Sequence, residues 1–337
     1  MARIALDAMG GDHAPTAPIT GALEALADLP DEHRIVLVGQ MAVMTATLDA
    51  LCAGELQAHA AQRVRLDLID APEVIEMGDK PTVALRSKRK SSMVVGLELH
   101  ARGEADGFVS AGNTGAQMAA SVVLLKLHAG LTRPAIGTLF PTAGQPVVVL
   151  DSGANVDCSA EELVSFARLG AVYAEDILGR PNPVIGLLSV GEEAEKGNAA
   201  VKAAHQLLLT AGVNFQGNIE GRDVPRGASA RGPIDVVVCD GFTGNVLLKF
   251  YEAVPSVMGG WLANAGVSKA QLMEAFAALD YQTYGGAPLL GVRGVSIICH
   301  GRSSARAIKN AIKVALRAHE SRMSEHVGHR LAAHAAA

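Results

Sequence analysis

The sequence is poor in aromatic side chains and has no excess of charge of one sign. Aromatics make up 4% of the 337 residues, whereas hydrophobic residues together make up 49%. The core must therefore consist of alanine, valine, leucine and isoleucine, which is typical of parallel sheets covered by helices. The 29 basic and 34 acidic residues give a formal charge of −5. Nucleic acid is therefore not an expected partner.

Cysteine is also scarce and follows no metal-binding spacing. Neither a CxxC pair nor a cysteine–histidine array surrounds Cys52, Cys158, Cys239 or Cys299. This pattern is typical of small buried side chains in a reducing compartment. We expect neither a disulfide framework nor a metal site.

Long hydrophobic runs and a leader segment are missing as well. No apolar run approaches the ~18 residues typical of a membrane-spanning helix. The N-terminus lacks the basic region, apolar stretch and cleavage site of a signal peptide. We expect a cytoplasmic protein whose contact with the inner face of the membrane is at most peripheral.

Short β-branched runs alternate with longer stretches of helical period. Strands are predicted at 4–6, 35–38, 64–69, 107–110, 147–150, 184–188, 236–239 and 295–299. Helices are predicted at 17–29, 41–53, 83–102, 114–127, 161–178, 197–211 and 305–328. The alternation predicts an α/β fold with a mostly parallel sheet. No linker interrupts it, so we expect one catalytic unit over 1–328 and a flexible tail at 329–337.

One segment departs from this alternation. A helix is predicted at 246–262, kinked near Pro255 and ended by Gly259-Gly260, with a shorter helix at 269–279 after it. The apolar residues of the longer helix are Leu247, Phe250, Tyr251, Val254, Met258 and Trp261. This hairpin, at about 246–282, would project as a lid or dimer element, or its apolar stripe would simply pack on the core. Its positive charge is too low to favour strong membrane binding.

Six loops rich in glycine, asparagine, serine, threonine and aspartate follow predicted strands. They are the segments 7–15, 110–116, 151–157, 189–198, 239–246 and 300–304. Ligands of parallel α/β sheets bind beyond the carboxyl ends of the strands. We therefore expect all six loops at one edge of one sheet. Because glycine lets the backbone approach an anion and asparagine donates hydrogen bonds, the loops predict a phosphate site.

Three common motifs are absent. The glycines never occur as G-x-G, so the dinucleotide fingerprint is missing, and no Gly-Lys pair exists for a Walker A loop. The sequence also lacks G-x-S-x-G, which argues against a serine nucleophile. We expect no cofactor, and a dehydrogenase or kinase is disfavoured.

Several long strings carry a resemblance to one family. They are IALDAMGGDHAP (4–15), KPTVALRSKRKSSM (80–93), SAGNTGA (110–116), LDSGANVD (150–157), VGEEAEKGN (190–198), CDGFTGNVLLK (239–249) and YGGAPLLG (284–291). In these strings, over roughly residues 3–318, the chain resembles bacterial phosphate acyltransferase, the acyl-acyl carrier protein:phosphate acyltransferase of phospholipid synthesis.

The resemblance implies a three-layer α/β/α fold, similar to the isocitrate/isopropylmalate dehydrogenases and to phosphotransacetylase, in a homodimer. It implies that fatty acyl-acyl carrier protein and inorganic phosphate yield acyl phosphate for phosphatidic acid synthesis. The partners would be acyl carrier protein, phosphate and, transiently, a membrane glycerol-3-phosphate acyltransferase. The alternatives are a phosphotransacetylase acting on acyl-coenzyme A and a catalytically silent carrier-binding module on the same fold.

This chemistry needs positioned donors more than a strong base. Phosphate, with a second pKa of about 6 to 7, is largely dianionic at neutral pH. The oxyanion formed at a thioester carbonyl needs donors, each contributing roughly 3–4 kcal/mol. We predict Asn113, Thr114 and Asn245 as these donors. His13 would be a general acid or phosphate donor, or a loop histidine bonded to backbone; Lys196 would attract phosphate, or be an ordinary surface lysine.

Further predicted site residues lie mostly in the same loops. Substrate or phosphate binding is predicted for Asp7, Gly10, Gly11, Asp12, Ser91, Ser92, Gly112, Gly115, Asn155, Asp157, Gly241, Thr243, Gly244 and His300. Turn or helix capping is the alternative for Asp12 and for the loop of His300. Capping of a helix near Ser159 is the alternative for Asn155 and Asp157.

Four cations fall within five residues, at Arg86, Lys88, Arg89 and Lys90. Such runs are commonly solvated helix faces. The functional prediction is that they dock an acidic carrier protein. Docking should then be sensitive to salt.

Overall fold

The chain folds into alternating helices and strands, and a computed structural model describes residues 1–276 and 284–335. The helices are α1 (Thr16–Asp28), α2 (Met41–Ala53), α3 (Pro81–Ser87), α4 (Ser92–Ala101), α5 (Thr114–Leu124), α6 (Ala160–Asp176), α7 (Ala199–Leu208), α8 (Gly241–Asn264), α9 (Lys269–Phe276), α10 (Ala305–Glu320) and α11 (Met323–Ala335). The strands are β1 (Arg3–Asp7), β2 (Arg34–Gly39), β3 (Leu66–Asp70), β4 (Gly107–Ser110), β5 (Ala135–Ile136), β6 (Thr138–Phe140), β7 (Val147–Leu150), β8 (Ile185–Leu188), β9 (Phe215–Ile219), β10 (Ala228–Ser229), β11 (Gly232–Pro233), β12 (Val236–Val238), β13 (Ala287–Leu290) and β14 (Ser296–Ile298).

The described residues divide into two compact units. The first comprises 1–130 and 284–332, and the second comprises 131–276 and 333–335. The prediction that residues 1–328 form one catalytic unit concerns activity and not compactness, and it stays a prediction.

The first unit is built on a mostly parallel sheet. Six of its strands lie in the order β3-β2-β1-β4-β14-β13, and only the β13–β14 pair among them is antiparallel. Leu6 of β1 lies between Leu37 of β2 and Val109 of β4. Helix α1 packs against α10 and α4 packs against α5, while α4 and α10 also contact β1 and β4. Strands covered in this way are apolar along their whole length.

The second unit has its own sheet, in the order β6-β7-β12-β8-β9. Strands β7, β12, β8 and β9 are parallel to their neighbours, and β6 is antiparallel to β7. A buried cluster that includes Phe140, Val149 and Val237 also contacts Leu247 and Tyr251 of α8. Two of the six residues of the predicted apolar stripe, Leu247 and Tyr251, thus pack on the core of the second unit.

The predicted α/β class with mostly parallel strands is confirmed, and each of the eight predicted strands overlaps an observed one. The expectation that all six polar loops share one sheet is wrong. The loops 7–15, 110–116 and 300–304 follow β1, β4 and β14 of the first sheet. The other three follow β7, β8 and β12 of the second. Hydrophobic period identifies a strand but not its partners, so the division into two sheets was not visible in the sequence.

Two predicted long helices are each broken in the structure. The helix predicted at 83–102 is α3 followed by α4, because Ser91 caps α4 by accepting a hydrogen bond from the Val94 N–H at 3.4 Å. The helix predicted at 305–328 is α10 followed by α11. Arg322, between them, has φ of 54°, a left-handed conformation incompatible with a continuous α-helix.

Helix α8 is longer than predicted at both ends. Asp240 caps its start, and the helix continues through Gly259-Gly260 to Asn264. The predicted stop is therefore wrong: a glycine costs about 1 kcal/mol relative to alanine in a helix, which is too little to end one by itself. Residues 277–282 of the predicted hairpin, including the end of the helix at 269–279, lie outside the described residues.

The C-terminal segment is more regular than expected. Residues 329–335, predicted as part of a flexible tail, belong to α11, and 336–337 lie outside the described part. Among the described residues, no helix combines the length and apolar character needed to cross a bilayer.

Candidate functional site

Three neighbouring strands of the first unit bring three of the polar loops together. Strand β4 is parallel to β1 on one side and to β14 on the other, so the loops 7–15, 110–116 and 300–304 leave the same edge of the sheet. We call these loops the first loop cluster. The Asp12 N–H donates to the Gly301 carbonyl at 2.7 Å, which ties the loop after β1 to the loop after β14.

The buried side chain of Asp7 holds the first loop cluster together by accepting hydrogen bonds from its loops. Its buried carboxylate accepts hydrogen bonds from the Ser110 hydroxyl at 2.7 Å and the Met9 N–H at 3.1 Å. The Ser92 hydroxyl and the Gly10 N–H bond to it as well. Burial raises the pKa of Asp7, and these hydrogen bonds oppose the increase. Because the carboxylate is covered by the loops, its role here is to order them.

Glycine is required where these loops touch. A Cβ on Gly10 would lie 2.6 Å from a carboxylate oxygen of Asp7 and 2.8 Å from the nitrogen of Gly112. Gly11 has φ of +103°, a conformation that side chains disfavour. The predicted glycines therefore act through close backbone packing.

Asn113 has no unused donor in this arrangement. Its Oδ1 caps α5 by accepting from the Ala116 N–H at 3.0 Å. Its Nδ2 donates to the carbonyls of Glu76, Met77 and Asp79 at 3.3, 3.1 and 3.0 Å. Donation to an oxyanion would require one of these bonds to be exchanged. Thr114, the first residue of α5, is half-buried, and Gly115 packs close to the side chain of Pro81.

Exposed polar side chains of the first loop cluster are Asp12, His13, His300 and Arg302. The Arg302 N–H donates to Nδ1 of His300 at 3.1 Å, so a neutral His300 carries its proton on Nε2 and can donate it outward. The imidazole of His13 makes no hydrogen bond with the described residues. Ser304, rather than His300, caps α10.

Arg302 was missed by the sequence reasoning. Its guanidinium forms no ion pair within the described part of the chain, and it extends from a strand-end loop. The signal was present in the string HGRSS (300–304), where a cation stands beside two hydroxyl residues.

Ser91 and Ser92 lie beneath the surface of the same unit. Ser91 caps α4, and the Ser92 hydroxyl bonds to Asp7. Both are buried. The structure thus gives both serines structural partners, and phosphate contact by either would require these bonds to be exchanged.

The second unit has a corresponding group of loops. Strand β12 lies between β7 and β8 and is parallel to both. The loops 151–157, 189–198 and 239–246 therefore leave one edge of this sheet, and we call them the second loop cluster. The predicted site residues thus fall into two groups, one in each unit.

Asp151, which was not predicted, orders the second loop cluster. Its buried carboxylate accepts from the N–H groups of Ile136 at 2.9 Å, Ala154 at 3.1 Å and Asn155 at 2.7 Å. Burial raises its pKa, and these bonds oppose the increase. An aspartate directly after the buried strand VVVL was the available signal.

Asn155 and Asp157, the predicted site residues in the loop after β7, differ in exposure. Asn155 is buried, and its Nδ2 donates to the Pro134 carbonyl at 2.8 Å and to Asp151 at 2.9 Å. Asp157 is exposed. Ser159 itself caps α6, in a capping box with Glu162. The capping alternative for Asn155 and Asp157 is therefore wrong.

The start of α8 is packed tightly against the loop after β7. The Gly241 N–H donates to the Asn155 carbonyl at 2.7 Å, and a Cβ on Gly244 would lie 1.9 Å from the Asp151 carbonyl oxygen. Thr243 donates its N–H and its hydroxyl to Asp240 at 2.7 and 3.0 Å. Asn245 is different: it is exposed, and its side-chain amide has no hydrogen-bond partner among the described residues.

The loop after β8 brings a cation to the same cluster. Lys196 is exposed, and its ammonium group forms no ion pair with a described residue. Asn198 caps α7 by accepting from the Val201 N–H at 2.9 Å. A cavity of about 490 Å³ is lined by the starts of α7 and α8 together with Asp157 and Cys158.

The cysteines near this cavity are not activated. Burial raises the pKa of Cys158 to about 12 and that of Cys239 well above its ordinary value. Both are therefore thiols at neutral pH. Cys239 and Cys299 are buried as expected. The expectation of burial is wrong for Cys52 and Cys158, which are only half-buried.

The four predicted docking cations are not equivalent. Lys88 donates to the Val74 carbonyl at 2.8 Å and forms an ion pair with Asp79. Arg86, Arg89 and Lys90 are exposed. Lys88 thus stabilises the turn between α3 and α4, and the three others face solvent.

Comparison with known proteins gives a consistent result. The family described as fatty acid synthesis protein matches residues 2–326. A phosphate acyltransferase of Desulforamulus reducens is 47% identical over 325 residues, covering 94% of this chain and 93% of that protein. A phosphate acyltransferase of Heliobacterium modesticaldum is 46% identical over 324 residues, covering 93% and 92%.

Solved structures of similar fold are phosphotransacetylases. One from Streptococcus pyogenes has a TM-score of 0.62 at 16% identity, covering 95% of this chain and 94% of that chain. The EutD phosphotransacetylase from Staphylococcus aureus has a TM-score of 0.61 at 14% identity, covering 94% of each chain. At such identity the likeness concerns the fold alone, and it confirms the predicted three-layer α/β/α class.

Proposed function

Because the chain belongs to the phosphate acyltransferase family and is an acyltransferase that uses phosphate, we propose that fatty acyl-acyl carrier protein is its acyl donor. The acyl phosphate would then supply phosphatidic acid synthesis through a membrane glycerol-3-phosphate acyltransferase. The observation that carries this proposal is the match at 47% identity over 94% of the chain.

The reaction balances without an external base. An oxygen of hydrogen phosphate forms a bond to the carbonyl carbon of the thioester, and the carbon–sulfur bond breaks. The proton of hydrogen phosphate ends on the departing thiol, whose pKa near ~8.5 makes it a moderate leaving group. The protein must therefore position an anion and stabilise the charge on the carbonyl oxygen.

The first loop cluster is proposed to bind phosphate. Arg302, His13 and His300 are exposed side chains that can donate to an anion, and guanidinium groups suit phosphate oxygens well. The close packing of Gly10 and Gly11 against the neighbouring loops holds the loop of His13 in place beside the loop of His300 and Arg302. Asp12, also exposed here, would limit the net positive charge and so favour release of the product.

In the second loop cluster, Asn245 is the proposed donor to the oxyanion. Its amide is exposed and unpartnered, whereas the amide of Asn155 already has two acceptors. Lys196 is proposed to stabilise negative charge nearby. Direct attack by phosphate is favoured over an acyl-cysteine, since Cys158 keeps its proton at neutral pH.

A homodimer through α8 is also proposed. Phe250 and Trp261 are 66% and 68% exposed, and Val246, Val257 and Met258 are exposed on the same helix. Monomeric proteins rarely expose contiguous apolar surface of this kind. A second copy of α8 would cover it, and the protein would act in the cytoplasm, with at most peripheral contact at the inner face of the membrane.

The test is to incubate the protein with palmitoyl-acyl carrier protein, with and without orthophosphate, and to trap acyl phosphate with hydroxylamine. We expect hydroxamate to form faster when phosphate is present. Thioesters also react with hydroxylamine, so reactions without enzyme and without phosphate are the controls. Equal rates with and without phosphate would contradict the proposal.

A parallel reaction with palmitoyl-coenzyme A separates the two candidate donors. We expect the carrier-bound donor to have the higher kcat/KM. A higher kcat/KM with coenzyme A would instead identify a phosphotransacetylase, and inactivity with both donors would favour a silent binding module.

A further inference from the structure

An open apolar groove lies within the first unit, between α3, α4 and α5. Its volume is about 470 Å³, and its apolar walls include Leu85, Val94, Ala119 and Val123. Val123 is 70% exposed, although it is a large aliphatic side chain in the last turn of α5. An exposed apolar groove between helices is a typical binding surface for another molecule.

The rim of this groove is positively charged. Arg86 and Arg89 both line it, and neither guanidinium forms an ion pair or hydrogen bond with a described residue. Lys90 is exposed next to them in the sequence. Glu98 also lines the groove, but its carboxylate lies 3.9 Å from Arg102, which compensates its charge. The surface therefore combines an apolar centre with an excess of unpaired cations.

We propose, resting on the proposed function, that this groove docks an acidic amphipathic helix of the acyl carrier protein. An apolar side chain of that helix would enter between α4 and α5, and its carboxylates would pair with Arg86 and Arg89. Charge complementarity selects this occupant, because a bare acyl chain would leave both guanidinium groups without partners.

The position of the groove suits a donor of this kind. Helix α5 begins at Thr114, within the first loop cluster, and forms one wall of the groove at Ala119 and Val123. At 1.5 Å per residue, Val123 lies about 14 Å along the helix from Thr114. A carrier docked here therefore holds its thioester within reach of the loop 110–116.

The experiment measures binding of acyl carrier protein to the full-length protein by calorimetry. Two variants are compared with wild type: Arg86→Glu/Arg89→Glu, which reverses the rim charge, and Val123→Asp, which places a carboxylate in the groove. We expect each to raise the Kd by about 10-fold or more at low salt, with a smaller effect of the arginine substitutions at high salt. Arg226→Glu, which reverses one cation at an exposed position in the second unit, is the control for charge reversal outside the groove and should leave Kd unchanged.

Two results would overturn the docking proposal. One is an unchanged Kd in both variants while the wild type binds. The other is weaker binding of palmitoyl-carrier protein but not of unacylated carrier protein to Val123→Asp, which would identify the groove as the acyl chain site. Phosphate-dependent turnover of the wild type is measured in parallel, so failure of docking and failure of the proposed activity are distinguished.

Discussion

Asn113 and Asn245 have opposite surroundings and should respond differently to substitution. Asn113→Ala removes a helix cap and three hydrogen bonds to carbonyls, so we expect a loss of about 2 kcal/mol in the free energy of unfolding. Asn245→Ala, at an exposed position, should change stability by less than about 0.5 kcal/mol. It should lower kcat about 100-fold with little change in KM, because it removes a donor to the oxyanion.

Chemical denaturation and steady-state kinetics on both variants check this pair. Asn245→Asp is the matched control, because it keeps the size of the side chain but cannot donate. A variant Asn245→Ala with normal kcat would remove this residue from the proposed mechanism.

The buried carboxylate of Asp7 should produce a defined pH dependence. Burial raises its pKa above the ordinary value of 3.8, so its stabilising contribution is complete below that value and declines as pH rises through the folded-state pKa. Asp7→Asn does not titrate. The stability of wild type relative to this variant should therefore fall as pH rises from about 4 through the folded-state pKa. Urea denaturation at several pH values measures the difference, and a difference that grows with pH would contradict the assignment.

Sequence reasoning identified the polar loops but not the partners of each side chain. Asn113, Asn155 and Asn245 occur in similar glycine-rich strings, yet the first two are bonded within the protein and the third is exposed. Which asparagine side-chain amide remains without a hydrogen-bond partner depends on carbonyls that lie far away in sequence, such as that of Met77. Asp151 and Arg302 were missed for the same reason, since their roles arise from the neighbours that folding brings to them.

At the scale of elements, helix α8 contains two glycines with opposite requirements. A Cβ on Gly244 would overlap the Asp151 carbonyl, whereas a Cβ on Gly260 meets nothing within 4 Å. We expect Gly244→Ala to cost about 3 kcal/mol of stability, near the upper end for overpacking. Gly260→Ala should stabilise the protein by about 0.5 to 1 kcal/mol through helix propensity. Thermal or urea unfolding of both variants tests the pair, and equal effects would contradict it.

Helices α1 and α10 are connected by an ion-pair cluster. The carboxylate of Asp28 lies 2.7 Å from the ammonium of Lys309 and 2.6 Å from that of Lys313, which lowers the pKa of Asp28 to about 2. The contribution is present above the unfolded pKa and is lost as pH falls from about 4 to 2. Because the groups are largely exposed, we expect Asp28→Asn to cost only about 0.5 to 1 kcal/mol at neutral pH. The loss should shrink in high salt; a cost that salt does not change would argue against an ionic origin.

Elements were predictable where periodicity is local. The strands β2, β7 and β12 have continuous β-branched apolar runs and were found. The strands β9 (FQGNI) and β13 (APLL) lack such runs and were missed. Breaks in helices depend on tertiary contacts, as at Lys88 between α3 and α4. Pairing of strands into two sheets is a long-range property, which explains the error over the six loops.

At the scale of the whole molecule, the exposed stripe of α8 should determine the oligomeric state. Phe250→Glu/Trp261→Glu introduces two carboxylates into it and should convert a dimer to a monomer. Analytical ultracentrifugation measures the mass. Val64→Glu, at another exposed aliphatic position, is the control and should leave the mass unchanged. A monomeric wild type at micromolar concentration would contradict the proposed dimer.

Asp7 and Asp151 hold similar positions in their respective units. Asp7 is the last residue of β1 and Asp151 directly follows β7, both of them inner strands, and each carboxylate accepts hydrogen bonds from the loops around it. Fixing a backbone residue costs roughly 1–2 kcal/mol of conformational entropy. Because the loops are already ordered in the folded protein, binding of substrate does not have to order them. Binding should therefore need little rearrangement, and the empty protein should hold the shape that receives the anion.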